Sequence, residues 1–265
     1  MSYLMMSELP LSKEGSQTNE LSLNYPFLEY ASTYVLDHTE EAQRRGIVQK
    51  SFMHYLQQQH ENFDRLRHFH NAFERVPDLG CNKAVTPLYT LSFHGCHELV
   101  RVVLFEEQIN VNAQGGPLGN ALQAASVNRK EEVMAILLEK GADVNAQGGL
   151  FGNALQAASF NRKKKAMAML LEKGADVNAQ GGPFGNALQA ASVNGKEKLV
   201  AMLLKKWADV NAQGRAFNSA PQAGVFNEKS EVMAMLLEKG ANVNAQGGPF
   251  GSALQAGVFS EDNEE

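Results

Sequence analysis

The sequence predicts an all-α fold, a solenoid of stacked helix-turn-helix-loop units that follows a helical N-terminal segment. The first observation is a repeat, because the pentapeptide Val-Asn-Ala-Gln-Gly occurs five times at a constant interval of 33 residues. The second is that each interval holds two short stretches with apolar residues at helical spacing. The third is size, since one such unit could bury almost nothing alone and must stack on its neighbours.

The unit from Asn112 to Val144 shows how each element is encoded. Asn120 is a good N-cap for a short first helix, over which residues 121–128 supply small and apolar side chains. Apolar residues between Val133 and Leu138 form one face of a second helix. Gly141 suits the residue just past the end of that helix, and the rest of the unit is predicted to be a hairpin-like loop.

The repeat also divides the chain into segments. We expect a disordered arm (1–20), a helical segment (21–76), a divergent unit (77–111), three full units (112–144, 145–177, 178–210), a degenerate unit (211–243) and a truncated unit with an acidic tail (244–265). In the degenerate unit Pro221 stands where the full units have a core leucine. Loss of that leucine should cost about 2 to 4 kcal/mol, and Pro221 should bias Ala220 away from helical dihedrals. This end of the array should therefore be the least stable.

Two helices are predicted before the first unit. One starts near Pro26 and carries Phe27, Tyr30, Ala31, Tyr34 and Val35 at helical spacing. The other runs from about Ile47 to Glu74 with a heptad-like seam that Gln59 and His70 interrupt. The pair either caps the first unit or provides a coiled coil for a partner.

The unit resembles the ankyrin repeat. Thr86-Pro87-Leu88-Tyr89 is close to the Thr-Pro-Leu-His tetrapeptide that opens the first helix in that family, and the later units have Asn-Ala-Leu-Gln instead. Gly141-Ala142-Asp143-Val144-Asn145 fits the family's later positions. The resemblance implies a non-catalytic scaffold or adaptor that binds a protein partner through its loop tips and its shorter inner helices.

The candidate partner-binding residues follow from that resemblance. They are Gln114, Pro117, Val127, Asn128, Gln147, Leu150, Phe160, Asn161, Gln180, Pro183, Val193, Asn194 and Phe226. Val127, Phe160, Val193 and Phe226 form one row at 33-residue intervals. Each side chain in the row either anchors a partner or packs on the helix of the next unit.

The loop sequence, Asn-Ala-Gln-Gly-Gly before Gly-Asn-Ala-Leu-Gln, resembles that of repeat arrays in fungal signalling proteins that carry a NACHT-type nucleotide-triphosphatase domain upstream. Residues 25–31 resemble the segment that joins that domain to its repeats. The chain has no G-x-x-x-x-G-K-[ST] motif, so nucleotide hydrolysis is not implied. One alternative function is therefore the regulatory fragment of a nucleotide-switched ATPase, and another is a truncated product with no partner.

The charge and the rarer residues exclude other classes of function. A net charge of −5 argues against nucleic-acid and membrane partners, and the basic run 162–165 is interpreted as a solvated helix start. Two cysteines exclude a disulfide framework, and the start of the chain has no signal-peptide pattern, so we expect a cytoplasmic or nuclear protein. Trp207 replaces a helix-ending glycine, either by drift or as a binding hot spot.

Two groups of residues have spacings that could present metal ligands. His60, Asp64 and His68 lie one helical turn apart, and His94, Cys96 and His97 lie in a turn downstream of Cys81. A solvated helix face explains the first group, and packing of the turn explains the second. No nucleophile and base stand in a recognisable pattern, so the sequence predicts no enzyme activity, no cofactor and no metal.

Overall fold

The computed structural model describes most of the repeat array and one helix before it. The described residues are 28–48, 86–105, 109–128, 130–214, 218–226, 230–248, 251–253 and 255. Within these ranges the chain forms eleven α-helices and a single two-stranded sheet. The expected arm (1–20), most of the second N-terminal helix, His60, Asp64, His68 and Cys81 lie outside them.

The helices come in pairs after the first one. Helix α1 spans Leu28–Arg44. The inner helices are α2 (Pro87–His94), α4 (Ala121–Val127), α6 (Ala154–Phe160), α8 (Ala187–Val193) and α10 (Ala220–Phe226). The outer helices are α3 (His97–Leu104), α5 (Glu131–Glu139), α7 (Lys164–Glu172), α9 (Glu197–Lys205) and α11 (Ser230–Glu238). Strands β1 (Gln114–Gly116) and β2 (Gly119–Asn120) pair antiparallel in the loop before α4.

Side-chain caps start the inner helices, as the sequence predicts. The Asn120 Oδ1 accepts a hydrogen bond from the Gln123 N–H at 3.0 Å, and Asn153 and Asn186 do the same for the residues three positions later at 2.8 Å. Each cap satisfies one of the N–H groups that have no partner within the helix. The three helices consequently begin at the same position of the unit.

A continuous hydrophobic core runs through the array. Leu122, Leu155 and Leu188 of the inner helices are almost completely buried, and the outer helices add leucines such as Leu137 and Leu170. The alanines of the inner helices are also buried, which lets successive inner helices pack closely. The core therefore depends on contacts between units as much as on contacts within a unit.

The inner helix of the degenerate unit differs from expectation. Helix α10 begins at Ala220 and has the same seven residues as its counterparts, although Pro221 was expected to disfavour a helical Ala220. The expected bias of Ala220 away from helical dihedrals is wrong, because Ala220 is the first helical residue and Pro221 the second. An N–H in the first turn has no partner within the helix, so a proline there removes nothing.

Helix α1 lies against the outer helix of the first unit. Leu36 is buried in the common core, and both carboxylate oxygens of Glu40 accept hydrogen bonds from the backbone N–H groups of Glu98 and Leu99 at 2.8 and 2.9 Å. Cys96, the N-cap of α3, makes no side-chain cap bond, so Glu40 supplies the cap from another helix. This contact is the one expected of a capping helix.

Of the residues expected on the apolar face of α1, the described side chain is that of Tyr34, which keeps 45% of its surface exposed. Leu36, which was not expected on that face, is buried. Ile47 and Val48, where the second helix was expected to start, are exposed and not helical. The rest of that predicted helix lies outside the described part of the chain.

Candidate protein-interaction surface

The loops that precede the inner helices have a common closed geometry. The Gly148 N–H donates to the Gly152 carbonyl at 2.7 Å, and Gly181 makes the same bond to Gly185. Neighbouring loops are also bonded, since the Leu150 N–H donates to the Pro117 carbonyl at 2.8 Å. The tips therefore form a row fixed by backbone hydrogen bonds.

Glycine is needed where one loop meets the next. Gly149 has φ +64°, and a Cβ on it would collide with the carbonyl group of Leu118 in the previous loop. Gly182 has φ +60°, and its Cβ would lie 2.5 Å from the Phe151 carbonyl oxygen. At both positions an L side chain would be strained and would also push neighbouring loops apart.

A buried glutamine ties each inner helix to the loop that follows it. Gln123 is 1% exposed, and its Nε2 donates to the carbonyls of Gly148 and Gly152 at 2.9 and 3.2 Å. Gln156, Gln189 and Gln222 make the corresponding bonds in later units. Sequence reasoning missed this role, although a glutamine at a fixed place in each unit was a visible signal.

An asparagine in the loop after one helix pair bonds the turn that ends the next helix pair. The Asn145 Nδ2 donates to the Gly174 carbonyl at 3.2 Å, and its Oδ1 accepts from the Asp176 N–H at 2.8 Å. Asn112, Asn178 and Asn211 repeat both bonds. The amides link each helix pair to the next and fix how the loop leaves the outer helix.

The candidate residues of the loops lie at the tips. Gln114, Gln147 and Gln180 are exposed, as is Pro183, while Pro117 is half-buried. Leu150 exposes 48% of its surface, which is high for a leucine on a rigid loop. The array places these residues in one line, at the same position of successive units.

The row on the inner helices is half-buried. Val127, Phe160 and Val193 all keep part of their surface accessible. The Phe160 ring stacks on Phe184 with 4.5 Å between ring centroids and lies 5.5 Å from Phe151. The contacts of Phe160 are thus made with loop aromatics rather than only with the next inner helix. Phe226 ends α10, and its side chain lies outside the described residues.

Comparison with known families agrees with this geometry. Residues 94–181 match a family model described as ankyrin repeats (3 copies). The fold is an ankyrin-repeat solenoid. No curated protein matches the chain.

The asparagines at the ends of the inner ankyrin helices are used within the array. The amides of Asn128 and Asn194 donate to carbonyls of the preceding unit, namely Phe93 at 3.2 Å and Phe160 at 2.7 Å. Asn161 donates to Ala157 within its own helix at 2.9 Å. All three side chains are half-buried. Their role in binding a partner stays a prediction, and a partner would have to bond amides that already bond within the array.

The loop glutamines also have intramolecular partners. The Gln114 Nε2 donates to the Gln147 carbonyl at 3.5 Å, and Gln180, with its amide oriented to satisfy both atoms, donates to the Gln213 carbonyl at 3.1 Å. These bonds run from one ankyrin unit to the next. They order the tips and leave the exposed parts of the side chains facing water.

Trp207 occupies a left-handed position at the end of an outer ankyrin helix. Its φ is +65° and it is 87% exposed, whereas Gly141, Gly174 and Gly240 hold φ between +82° and +87° at the same place in their units. Its carbonyl still accepts the bridging bond from Asn178. The tryptophan thus keeps the backbone geometry of glycine at an energetic cost.

We expect Trp207→Gly to stabilise the array by about 1 kcal/mol, because glycine adopts this φ without strain. Trp207→Ala is the matched control, since it removes the indole but keeps the strained φ, and its stability should stay near that of the wild type. Urea unfolding of the three proteins measures the difference. Equal stabilisation by both changes would show that the exposed indole, not the backbone, carries the cost.

The chemistry of the His94, Cys96 and His97 group is limited by burial. Burial, followed by the charges of Glu40 and Asp37, raises the pKa of the Cys96 thiol to about 12. The thiol is therefore neutral near pH 7, and the thiolate is the form that binds zinc or attacks substrates. In the described part of the chain no three His, Cys, Asp or Glu side chains are grouped as metal ligands.

None of the helices that the structure describes has the length and apolar character needed to cross a membrane.

Proposed function

We propose that this protein is a non-catalytic protein-binding module that takes its partner on the loop tips and inner helices. The observation that supports this best is a half-exposed apolar row on a rigid base. Phe160 is held between Phe151 and Phe184, so binding would not have to order it first. Aromatic side chains in such positions commonly dominate binding energy.

The exposed loop tips extend this surface beyond the helices. Leu150 lies on a loop that is bonded to its neighbour through the Pro117 carbonyl. An apolar side chain left in water on an ordered loop is a good contact for a partner. The partner we propose therefore presents apolar side chains to the Phe160 row and to the loop tips.

Leu150→Ser tests the proposal with a matched control. Leu150 and Leu237 have almost equal exposed fractions, 48% and 47%, but Leu237 lies on an outer helix. Proteins captured from native extract by the full chain are quantified for the wild type, Leu150→Ser and Leu237→Ser. A partner of the proposed surface should bind Leu150→Ser about tenfold more weakly and Leu237→Ser normally, with thermal unfolding unchanged in both.

Phe160→Ser then separates anchoring from packing. Because the ring also packs on Phe184, we expect some loss of stability, but a partner measured below the unfolding range should still lose affinity. If captured proteins bind all three variants like the wild type, the proposed surface is wrong. If Leu237→Ser alone loses them, the partner uses the outer helices instead.

The alternative of a regulatory fragment is supported by two sequence resemblances, that of the loops and that of residues 25–31. An in-frame P-loop upstream of Met1 in the message would favour it. Saturable ATP binding by the purified chain would contradict the proposal of a non-catalytic module.

A further inference from the structure

A cationic groove lies between two neighbouring units, at the turns that join their inner and outer helices. It encloses about 550 Å³ and is lined by the side chains of Arg162, Lys164, Lys196 and Lys198 with one carboxylate, that of Glu197. These turns follow the C-terminal ends of α6 and α8, whereas the loop tips precede the N-terminal ends of those helices. The groove is therefore at the opposite end of the inner helices from the loop tips, and it adjoins the row that Phe160 and Val193 form at the ends of α6 and α8.

The positive charge of the groove is not neutralised by the array. Among the residues that the structure describes, no carboxylate forms an ion pair with Arg162, Lys164, Lys196 or Lys198, and all four side chains are exposed. The whole chain carries a net charge of −5. A cluster of free cations on an acidic protein marks a local site for an anion.

Arg162 is held in place at a backbone cost. Its φ is +61°, in a position where the next unit has Gly195 with φ +60°. The Arg162 Nη2 donates to the Asn194 Oδ1 across the groove at 3.2 Å, which orients the guanidinium. Its remaining N–H groups are donors suited to a carboxylate.

The N-terminal ends of the outer helices add to the positive electrostatic potential of the groove. Helix α7 begins at Lys164 and α9 begins at Glu197, and their N-caps, Lys163 and Lys196, make no side-chain cap bond. The first N–H groups of both nine-residue helices thus have no side-chain acceptor at their caps, and the helix dipoles favour negative charge there.

The cationic surface is short. The outer helix on one side begins with Glu131 and Glu132, and the outer helix on the other side has Glu231 in its first turn. A long polyanion such as nucleic acid, with its evenly spaced phosphates, would run from the groove onto these carboxylates. A ligand of a few residues would fit within the groove and would not reach these carboxylates.

We propose that this groove binds a short acidic peptide segment of a partner protein, whose carboxylates pair with Arg162, Lys164, Lys196 and Lys198. The aliphatic stems of the groove lysines provide apolar contact for the backbone of the peptide.

A fluorescein-labelled hexaglutamate peptide and the full chain test this by fluorescence anisotropy at low and at physiological salt. Arg162→Gly is the sharpest variant, because the neighbouring unit already has Gly195 at this φ and the fold is expected to be kept. We expect saturable binding that weakens about tenfold in Arg162→Gly and again in Lys164→Gln/Lys196→Gln. Hexaglutamine should not bind.

Lys173→Gln/Lys206→Gln is the matched control, since it removes the same charge from the opposite ends of the same two outer helices. It should bind like the wild type, and so should Leu150→Ser, which tests the other surface. Equal loss in both lysine pairs, or no saturable binding at low salt, would overturn the proposal. A single-stranded oligonucleotide of equal charge that binds more tightly than the peptide would assign the groove to nucleic acid instead.

Discussion

Gly149→Ala is expected to destabilise the array by about 3 kcal/mol, from a left-handed φ and from a collision with the backbone of the preceding loop. The φ of Gly149 is +64°, and the atom its Cβ would meet is a carbonyl carbon of Leu118, which cannot move without moving the loop. Urea unfolding followed by circular dichroism measures the loss.

Gly141→Ala is the control for this prediction. Gly141 has φ +84°, but a Cβ there meets nothing within 4 Å, so this change should cost only about 1 kcal/mol. The difference between the two variants isolates the contact between loops. Equal costs would mean that the loops are not packed as tightly as the structure shows.

Gln123→Leu is expected to cost about 3 kcal/mol, because a buried network loses a side-chain donor and an acceptor. The Gln123 Oε1 accepts from the Asn120 N–H at 2.7 Å, and its Nε2 bonds carbonyls of the next loop. Leucine fits a similar volume but leaves these groups without their partners.

Gln156→Leu and Gln147→Leu are the comparison variants for the loss of stability expected in Gln123→Leu. The Gln156 amide also bonds the next loop, but its buried Oε1 has no partner, so leucine there removes fewer bonds and should cost less. Gln147 is exposed, and its change should cost under about 0.5 kcal/mol. Hydrogen exchange of the amides of residues 146–152 should rise in Gln123→Leu. An order of costs other than Gln123, Gln156, Gln147 would contradict the role given to the network.

The fold could be predicted because each unit contains its own local signals. Asn120 was expected to cap an inner helix and does so, and Gly141 was expected at a helix end and has the positive φ this requires. These signals act over three or four residues, so they can be read without knowing the packing. The expectation for Ala220 was wrong because the effect of Pro221 depends on its helical position, which follows the cap at Ser219. The cost of the lost core leucine stays a prediction.

The contacts that were missed join residues far apart in the chain. Glu40 caps a helix whose first bonded residue is 58 positions later, and Gln123 bonds a carbonyl 29 positions later. Glu40 leaves no local pattern, and the recurring glutamine marks a position without showing its partner, because both contacts depend on the register of one element against another. The cationic groove is of the same kind, because Arg162 and Lys198 meet only when two units are stacked.

The asparagine bridges make every junction in the array chemically alike, and this has a consequence for its length. Asn145, which follows one helix pair, bonds the turn at the end of the next pair through two groups, and Asn178 and Asn211 do so with the same geometry. If one whole unit were duplicated or deleted by recombination within the coding sequence, each new junction would reproduce an old one. The number of units is therefore free to change between generations without a compensating mutation, while the spacing of the loop tips stays constant.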